Sequence, residues 1–122
     1  MIAGIHHVSF LIADLTRARA FYEDVLGLQR NTSRPSMSFD GVWYDVAQNQ
    51  QVHLMVLTDV EAGLQRPLHG GRDRHVAFKV SDMAQLITQL DKAGISYTLS
   101  QSGRSALFCR DPDQNALEFI AG

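Results

Sequence analysis

The sequence predicts an α+β fold. Two βαβββ modules are expected to form a curved, eight-stranded mixed sheet, with helices on the outer face and a trough on the inner face. Three observations predict it. First, a segment recurs: "HVSFLIADL" (His7 to Leu15) and "HVAFKVSDM" (His75 to Met83) share His, Val, Phe and Asp at identical spacing. Second, each copy runs on into an amphipathic helical pattern that ends at a glycine. Third, each helix is followed by three strand-like segments.

The first strand alternates, with Val8, Phe10 and Ile12 on one face and His7, Ser9 and Leu11 on the other. Asp14 then stands as N-cap to a helix whose apolar positions are Leu15, Ala18, Tyr22, Val25 and Leu26, and Gly27 stops it. Strands are expected at Leu28–Thr32, Gly41–Ala47 and Gln51–Leu57. In the second module Val76, Phe78 and Val80 alternate with His75, Ala77 and Lys79. Asp82 or Ser81 caps a helix carrying Met83, Leu86, Ile87, Leu90 and Ala93, and Gly94 ends it. Strands follow at Ile95–Ser100, Ser105–Arg110 and Ala116–Ile120. The whole of 1–122 reads as a single domain: module one over 4–57, a Gly-, Pro- and charge-bearing linker over 58–73, and module two over 74–121.

Composition narrows the function classes. The chain has 122 residues, 45% of them hydrophobic and 20% charged, with net charge −2, as expected of a globular domain with its own core. There is no basic block, so nucleic acid is not an expected partner. There is no apolar run long enough to span a membrane, and no charged-then-apolar leader pattern. The single cysteine, Cys109, has no partner for an internal disulfide, which fits a cytoplasmic location. Five histidines in so short a chain point toward metal.

Period-two alternation selects which of them. If the apolar sets pack beneath the helices, His7 and His75 both face the trough at repeat-equivalent places. In "QVHLMV", His53 and Met55 alternate with Val52, Leu54 and Val56; in "ALEFI", Glu118 alternates with Leu117 and Phe119. Aligning "VHL" with "LEF" makes His53 and Glu118 equivalent. Four metal-competent groups, His7, His53, His75 and Glu118, are thus expected on one face, two from each module. His6 faces the other way and reads as structural. His69, in the loop "LHGG", reads as solvated. Trp43 shares a face with Asp45 and is a candidate wall of the trough. Arg72, Arg74, Arg104 and Arg110 are candidate anchors for an anionic substrate group. Cys109, in an apolar strand, reads as buried and inert.

"HHVSFLIADLTRARAFYEDVLGL", "RHVAFKVSD" and "DPDQNALEFI" together resemble the opening, mid-chain and closing signatures of the vicinal oxygen chelate superfamily, in the expected order and over nearly the whole chain. That superfamily includes glyoxalase I, epimerases, fosfomycin-modifying enzymes, extradiol dioxygenases and metal-free bleomycin resistance proteins. The resemblance implies metal ligands at His7, His75 and Glu118, with the fourth position at His53, where glyoxalase I carries Glu. It implies one divalent ion per site (Zn, Ni, Co, Mn or Fe), a small-molecule substrate, and a homodimer. In some relatives the site is shared between subunits; in such a dimer His7 and His53 would come from one chain and His75 and Glu118 from the other. Gln114 departs from the closing signature, where Gly is usual.

The resemblance implies a glyoxalase-like lyase or isomerase first. A metal polarises a substrate oxygen, an enediolate-type intermediate is stabilised, and Glu118 is the candidate base, with His53 beside it. Ser9 matches the hydroxyl position two residues after the first His and is a further substrate-binding candidate. Fosfomycin modification is disfavoured by His53 and by the loop "SQSGRSALF". An Fe(II) dioxygenase built on His7, His75 and Glu118 is the second expectation, and a non-enzymatic sequestering module the third.

Overall fold

The computed structural model describes residues 1–122. The chain divides into two compact units, Met1–Ala62 and Gly63–Gly122. Each carries one four-stranded mixed sheet, so the eight strands fall into two hydrogen-bonded sheets, one per βαβββ module.

In the first unit, β1 (His7–Ile12) leads into α1 (Leu15–Arg19), followed by β2 (Gln29–Arg30), β3 (Gly41–Val46) and β4 (Gln50–Val56). The sheet order is β1-β4-β3-β2. β1 runs parallel to β4, and β3 is antiparallel to both β4 and β2. Asp14 caps α1, its carboxylate accepting from the Arg17 amide at 2.8 Å, and Gly27 takes the left-handed conformation (φ 73°) past the helix end.

Between those signals the helix departs from the α form expected of it. Residues Ala20–Val25 form a π-helical turn, with the Leu26 amide bonded to the Phe21 carbonyl at 3.0 Å. Side chains on this turn find partners both nearby and far away in sequence. Tyr22 is fully buried and packs parallel to Tyr44 (6.0 Å) and Phe10 (6.4 Å). Glu23 Oε2 accepts from Arg19 Nε at 2.9 Å and from the Tyr44 hydroxyl at 2.8 Å. Burial and the hydrogen bond to Glu23 raise the Tyr44 pKa. Val42, Tyr44, Val52, Leu54 and Ile12 complete this core, so the apolar set of each strand does face the helix.

In the second unit, a short 3-10 turn (Gly70–Arg72) precedes β5 (His75–Val80) and α2 (Met83–Lys92), then β6 (Tyr97–Leu99), β7 (Ala106–Arg110) and β8 (Ala116–Ala121). The order β5-β8-β7-β6, with β5 parallel to β8, repeats the first sheet. Asp82 caps α2, accepting from the Gln85 amide at 3.0 Å, and Gly94 (φ 68°) ends it. Leu86, Leu90, Leu107, Leu117 and Phe119 fill the core under α2. Cys109 is buried there, and burial, then the nearby Asp111, push its thiol pKa up to about 12. The β7–β8 turn is organised by Asp111, whose Oδ1 accepts from the amides of Asp113 (2.8 Å) and Asn115 (2.9 Å). Gln114 occupies the left-handed region there (φ 70°), the conformation that favours Gly.

β2 and β6 are shorter than the alternation suggests. Asn31 turns the chain after β2, its side chain accepting from the Ser33 amide at 2.8 Å, and Ser100 does likewise for Ser102 after β6. No helix is long and apolar enough to cross a membrane.

Candidate metal and substrate site

In the first unit, strand pairing brings His7 and His53 together on the face opposite the helix. The two rings stack at 4.0 Å, 14° from parallel. Trp43, directly across from His53 in the β3–β4 register, stacks on the other side of that ring at 4.2 Å and 6°. His53 is therefore sandwiched and only 8% exposed. Its Nε2 meets Gln51 Oε1 at 2.8 Å, which assigns the Nε2 hydrogen to that bond and leaves Nδ1 with the lone pair. Burial, then electrostatic repulsion from His7, His6 and Arg34, holds its pKa down to about 4, so the ring is neutral at physiological pH. Ser9 is exposed on β1, paired in register with His53. His6 precedes the strand, and its Nδ1 lies 2.9 Å from that of His7. The two rings meet edge to face at 5.1 Å.

In the second unit, His75 and Glu118 converge. His75 Nε2 lies 3.1 Å from Glu118 Oε1, and His75 Nδ1 lies 2.8 Å from the Asp73 carbonyl oxygen. A carbonyl can only accept, so Nδ1 carries the hydrogen. In the neutral ring, Nε2 then directs a lone pair at a carboxylate oxygen. Two electron-rich atoms held this way are reconciled by a cation shared between them or by a second ring proton. Glu118 is only 3% exposed; its other oxygen accepts from an Arg104 Nη at 3.2 Å. Phe108 meets the His75 ring edge to face at 5.4 Å.

The structure brings together two pairs, His7 with His53 and His75 with Glu118. No group of three or more His, Cys, Asp or Glu side chains comes together in metal-binding range.

The candidate anchors divide by their partners. Arg104 is more than half exposed and reaches Ser102 Oγ (3.2 Å) as well as Glu118. Arg74 is exposed, its amide bonded to Asp73 Oδ1 at 2.8 Å. Arg110 is committed within the protein. It donates to Asp73 Oδ2 (2.8 Å) and to the carbonyls of Gln114 (2.8 Å) and Pro67 (2.7 Å). His69, expected to be solvated, accepts from the Gly71 amide at 3.0 Å and packs on Phe108 at 4.9 Å. Sequence reasoning passed over Asp73 and Gln51, the residues that orient the two histidines. Their nearness along the chain, each two residues before the histidine it contacts, is the only signal that could have found them.

Comparison with known proteins agrees with this architecture. The model of the Glyoxalase/Bleomycin resistance protein/Dioxygenase superfamily matches residues 4–119. YwkD of Bacillus subtilis (strain 168) is 27% identical over 124 residues, covering 97% of this chain and 96% of that protein. Lactoylglutathione lyase from Agrobacterium tumefaciens is 24% identical with a TM-score of 0.66, covering 99% of this chain and 95% of its own. The fosfomycin resistance protein FosX from Listeria monocytogenes, complexed with Mn(II) and sulfate, is 18% identical with a TM-score of 0.73, covering 100% of this chain and 92% of its own. At these identities the two structural likenesses concern the fold.

Proposed function

Because the chain belongs to the Glyoxalase/Bleomycin resistance protein/Dioxygenase superfamily, we propose that it is a metal-dependent lyase or isomerase of glyoxalase type, acting on a small oxygen-bearing substrate. The observation that carries this is His75 Nε2 set 3.1 Å from Glu118 Oε1, with Nδ1 already bonded to the Asp73 carbonyl. His7, His53, His75 and Glu118 would hold the metal. Three imidazoles and a carboxylate are a donor set suited to Zn, Ni, Co, Mn or Fe. FosX in complex with Mn(II) supports a divalent ion on this fold. When bound, the metal supplies Lewis-acid polarisation of a substrate oxygen.

The chain's own residues do the rest. Glu118 Oε2 would take the proton from the hydroxyl-bearing carbon beside the carbonyl and return it to the former carbonyl carbon, while the hydroxyl proton passes to the former carbonyl oxygen, so that the two transfers together balance. The Arg104 guanidinium donates to that oxygen at 3.2 Å, orienting the carboxylate, and offers further donors to an anionic substrate group. Trp43 walls the first pair, Ser9 offers a hydroxyl, and Arg74 a second cation. The site is proposed to form in a homodimer, His7 and His53 from one chain facing His75 and Glu118 from its partner.

Metal analysis of the purified protein and of its His75→Ala and Glu118→Ala variants tests the site. About one divalent ion per chain is expected in the wild type, with a loss of tenfold or more in both variants; equal loading in all three sinks the proposal. An Fe(II) dioxygenase is the second reading, favoured by the two-His-one-carboxylate set of His7, His75 and Glu118. Assays of methylglyoxal with thiols, and of catechols with Fe(II), separate the two. Thiol-dependent product without oxygen uptake supports the lyase; oxygen consumption replaces it with the dioxygenase. Ligand binding with no turnover in either assay replaces both with a sequestering module.

A further inference from the structure

One guanidinium ties together three segments around the His75–Glu118 pair. Arg110, at the end of β7, is largely buried, its side chain 16% exposed. It donates to Asp73 Oδ2, to the Gln114 carbonyl in the β7–β8 turn, and to the Pro67 carbonyl before the 3-10 turn. Asp73 is bound from other directions as well. Its Oδ1 accepts from Arg66 at 3.2 Å and from the Arg74 amide at 2.8 Å. Its backbone carbonyl receives the His75 Nδ1 hydrogen at 2.8 Å. The same arginine therefore anchors the residue that orients His75 and the turn that leads into β8, where Glu118 stands.

We propose that Arg110 is a positioning residue for the His75–Glu118 pair: through Asp73 it holds the His75 ring in the Nδ1–H tautomer, with Nε2 presented to Glu118. This rests on the metal-site reading for its purpose, but not for its geometry. A neutral imidazole in water exchanges between two tautomers, and a fixed carbonyl acceptor at Nδ1 selects one. The carbonyl selects only while its own position is fixed. Asp73 lies outside β5, beyond the sheet ladder; its amide donates to the Gly70 carbonyl at 3.1 Å, and its side-chain ion pairs with Arg66 and Arg110 complete the hold. Arg supplies what Lys cannot, because its planar fork reaches a carboxylate and two carbonyls at once.

The test uses the full-length, metal-free protein, at a pH alkaline enough to remove any second proton from the ring. Long-range proton–nitrogen NMR reads the His75 tautomer in the wild type, Arg110→Met, Arg110→Lys and Asp73→Asn. Leu90→Ala, a core truncation in α2, serves as a control for lost stability alone. The wild type and Leu90→Ala are expected to show only the Nδ1–H form. Arg110→Met and Asp73→Asn are expected to show both tautomers, and Arg110→Lys a partial return. Zn(II) titration of the same set is expected to weaken about 10- to 100-fold in Arg110→Met and Asp73→Asn, and not in Leu90→Ala. A single Nδ1–H tautomer in whichever of Arg110→Met and Asp73→Asn folds overturns the proposal. So does tautomer mixing in Leu90→Ala as well. Absence of Zn(II) binding by the wild type overturns the metal-site reading instead, and leaves the tautomer result to decide this one.

Discussion

His53 shows how much a single residue's surroundings change its chemistry. Two flat rings exclude water from both faces of its imidazole, and neighbouring basic groups oppose a charge on it. The unfolded chain protonates this histidine near the ordinary imidazole value of 6.5, the folded chain only near 4. Between those values the unfolded state binds more protons, so the stability present above pH 6.5 is lost as pH falls toward 4. The loss amounts to roughly 3 kcal/mol at about 1.4 kcal/mol per pKa unit. Denaturant titrations across this range check it. His53→Gln should flatten that part of the acid slope, and an unchanged slope refutes the account. Trp43→Ala should raise the His53 pKa toward its ordinary value, read by NMR titration. Gln114 is a second residue-scale case. Its left-handed backbone (φ 70°) makes Gln114→Gly neutral to stabilising by about 1 kcal/mol, whereas Gln114→Val should destabilise by about 1–2 kcal/mol in thermal melts.

At the scale of the element, the π-helical turn after α1 is held by the ion cluster it turns inward. Burial pushes the Glu23 pKa up, but the hydrogen bonds from Arg19 and Tyr44 outweigh it, and the net shift is downward. A carboxylate with a lowered folded pKa contributes stability above its unfolded value of 4.5 and loses it as pH falls through the folded value. Tyr44→Phe should cost about 1 kcal/mol by removing one donor and should reduce this acid-dependent contribution. Equal acid limbs for Tyr44→Phe and the wild type would contradict it. On β3, Gly41 leaves no room for a side chain: a Cβ there would collide with the Leu54 carbonyl oxygen on β4, with the Arg34 guanidinium close by. Gly41→Ala is therefore expected to destabilise by about 1–3 kcal/mol, measured by chemical denaturation.

For the whole molecule, the proposed shared site makes a distinctive prediction. His7→Ala and Glu118→Ala homodimers should each lose metal. Unfolded together and refolded as a mixture, half the dimers are mixed, and each of these holds one site with both defects and one with neither. About a quarter of all sites should then regain metal and activity. No recovery places all four ligands in one chain. Metal should also raise the unfolding free energy, by about 2.7 kcal/mol at a hundredfold excess over its dissociation constant, seen as a concentration-dependent Tm.

Much of this protein is legible along the chain. The βαβββ order, the Asp14 and Asp82 caps and the Gly27 and Gly94 stops are local, set by backbone preferences within a few residues. Alternation also assigned each strand's faces, because neighbouring side chains in a strand must point opposite ways. The four candidate ligands follow from that rule and the internal repeat. What surrounds them does not. The π-helical turn answers to Tyr44, which lies on a distant strand. Arg110 reads as a surface anchor in sequence, yet it clasps Asp73, 37 residues away. The partners of His69 and the Trp43 stack on His53 depend on strand register. Periodicity tells which way a side chain points; only the folded sheet decides what it meets there, because hydrogen-bond register joins residues whose separation along the chain carries no local signal.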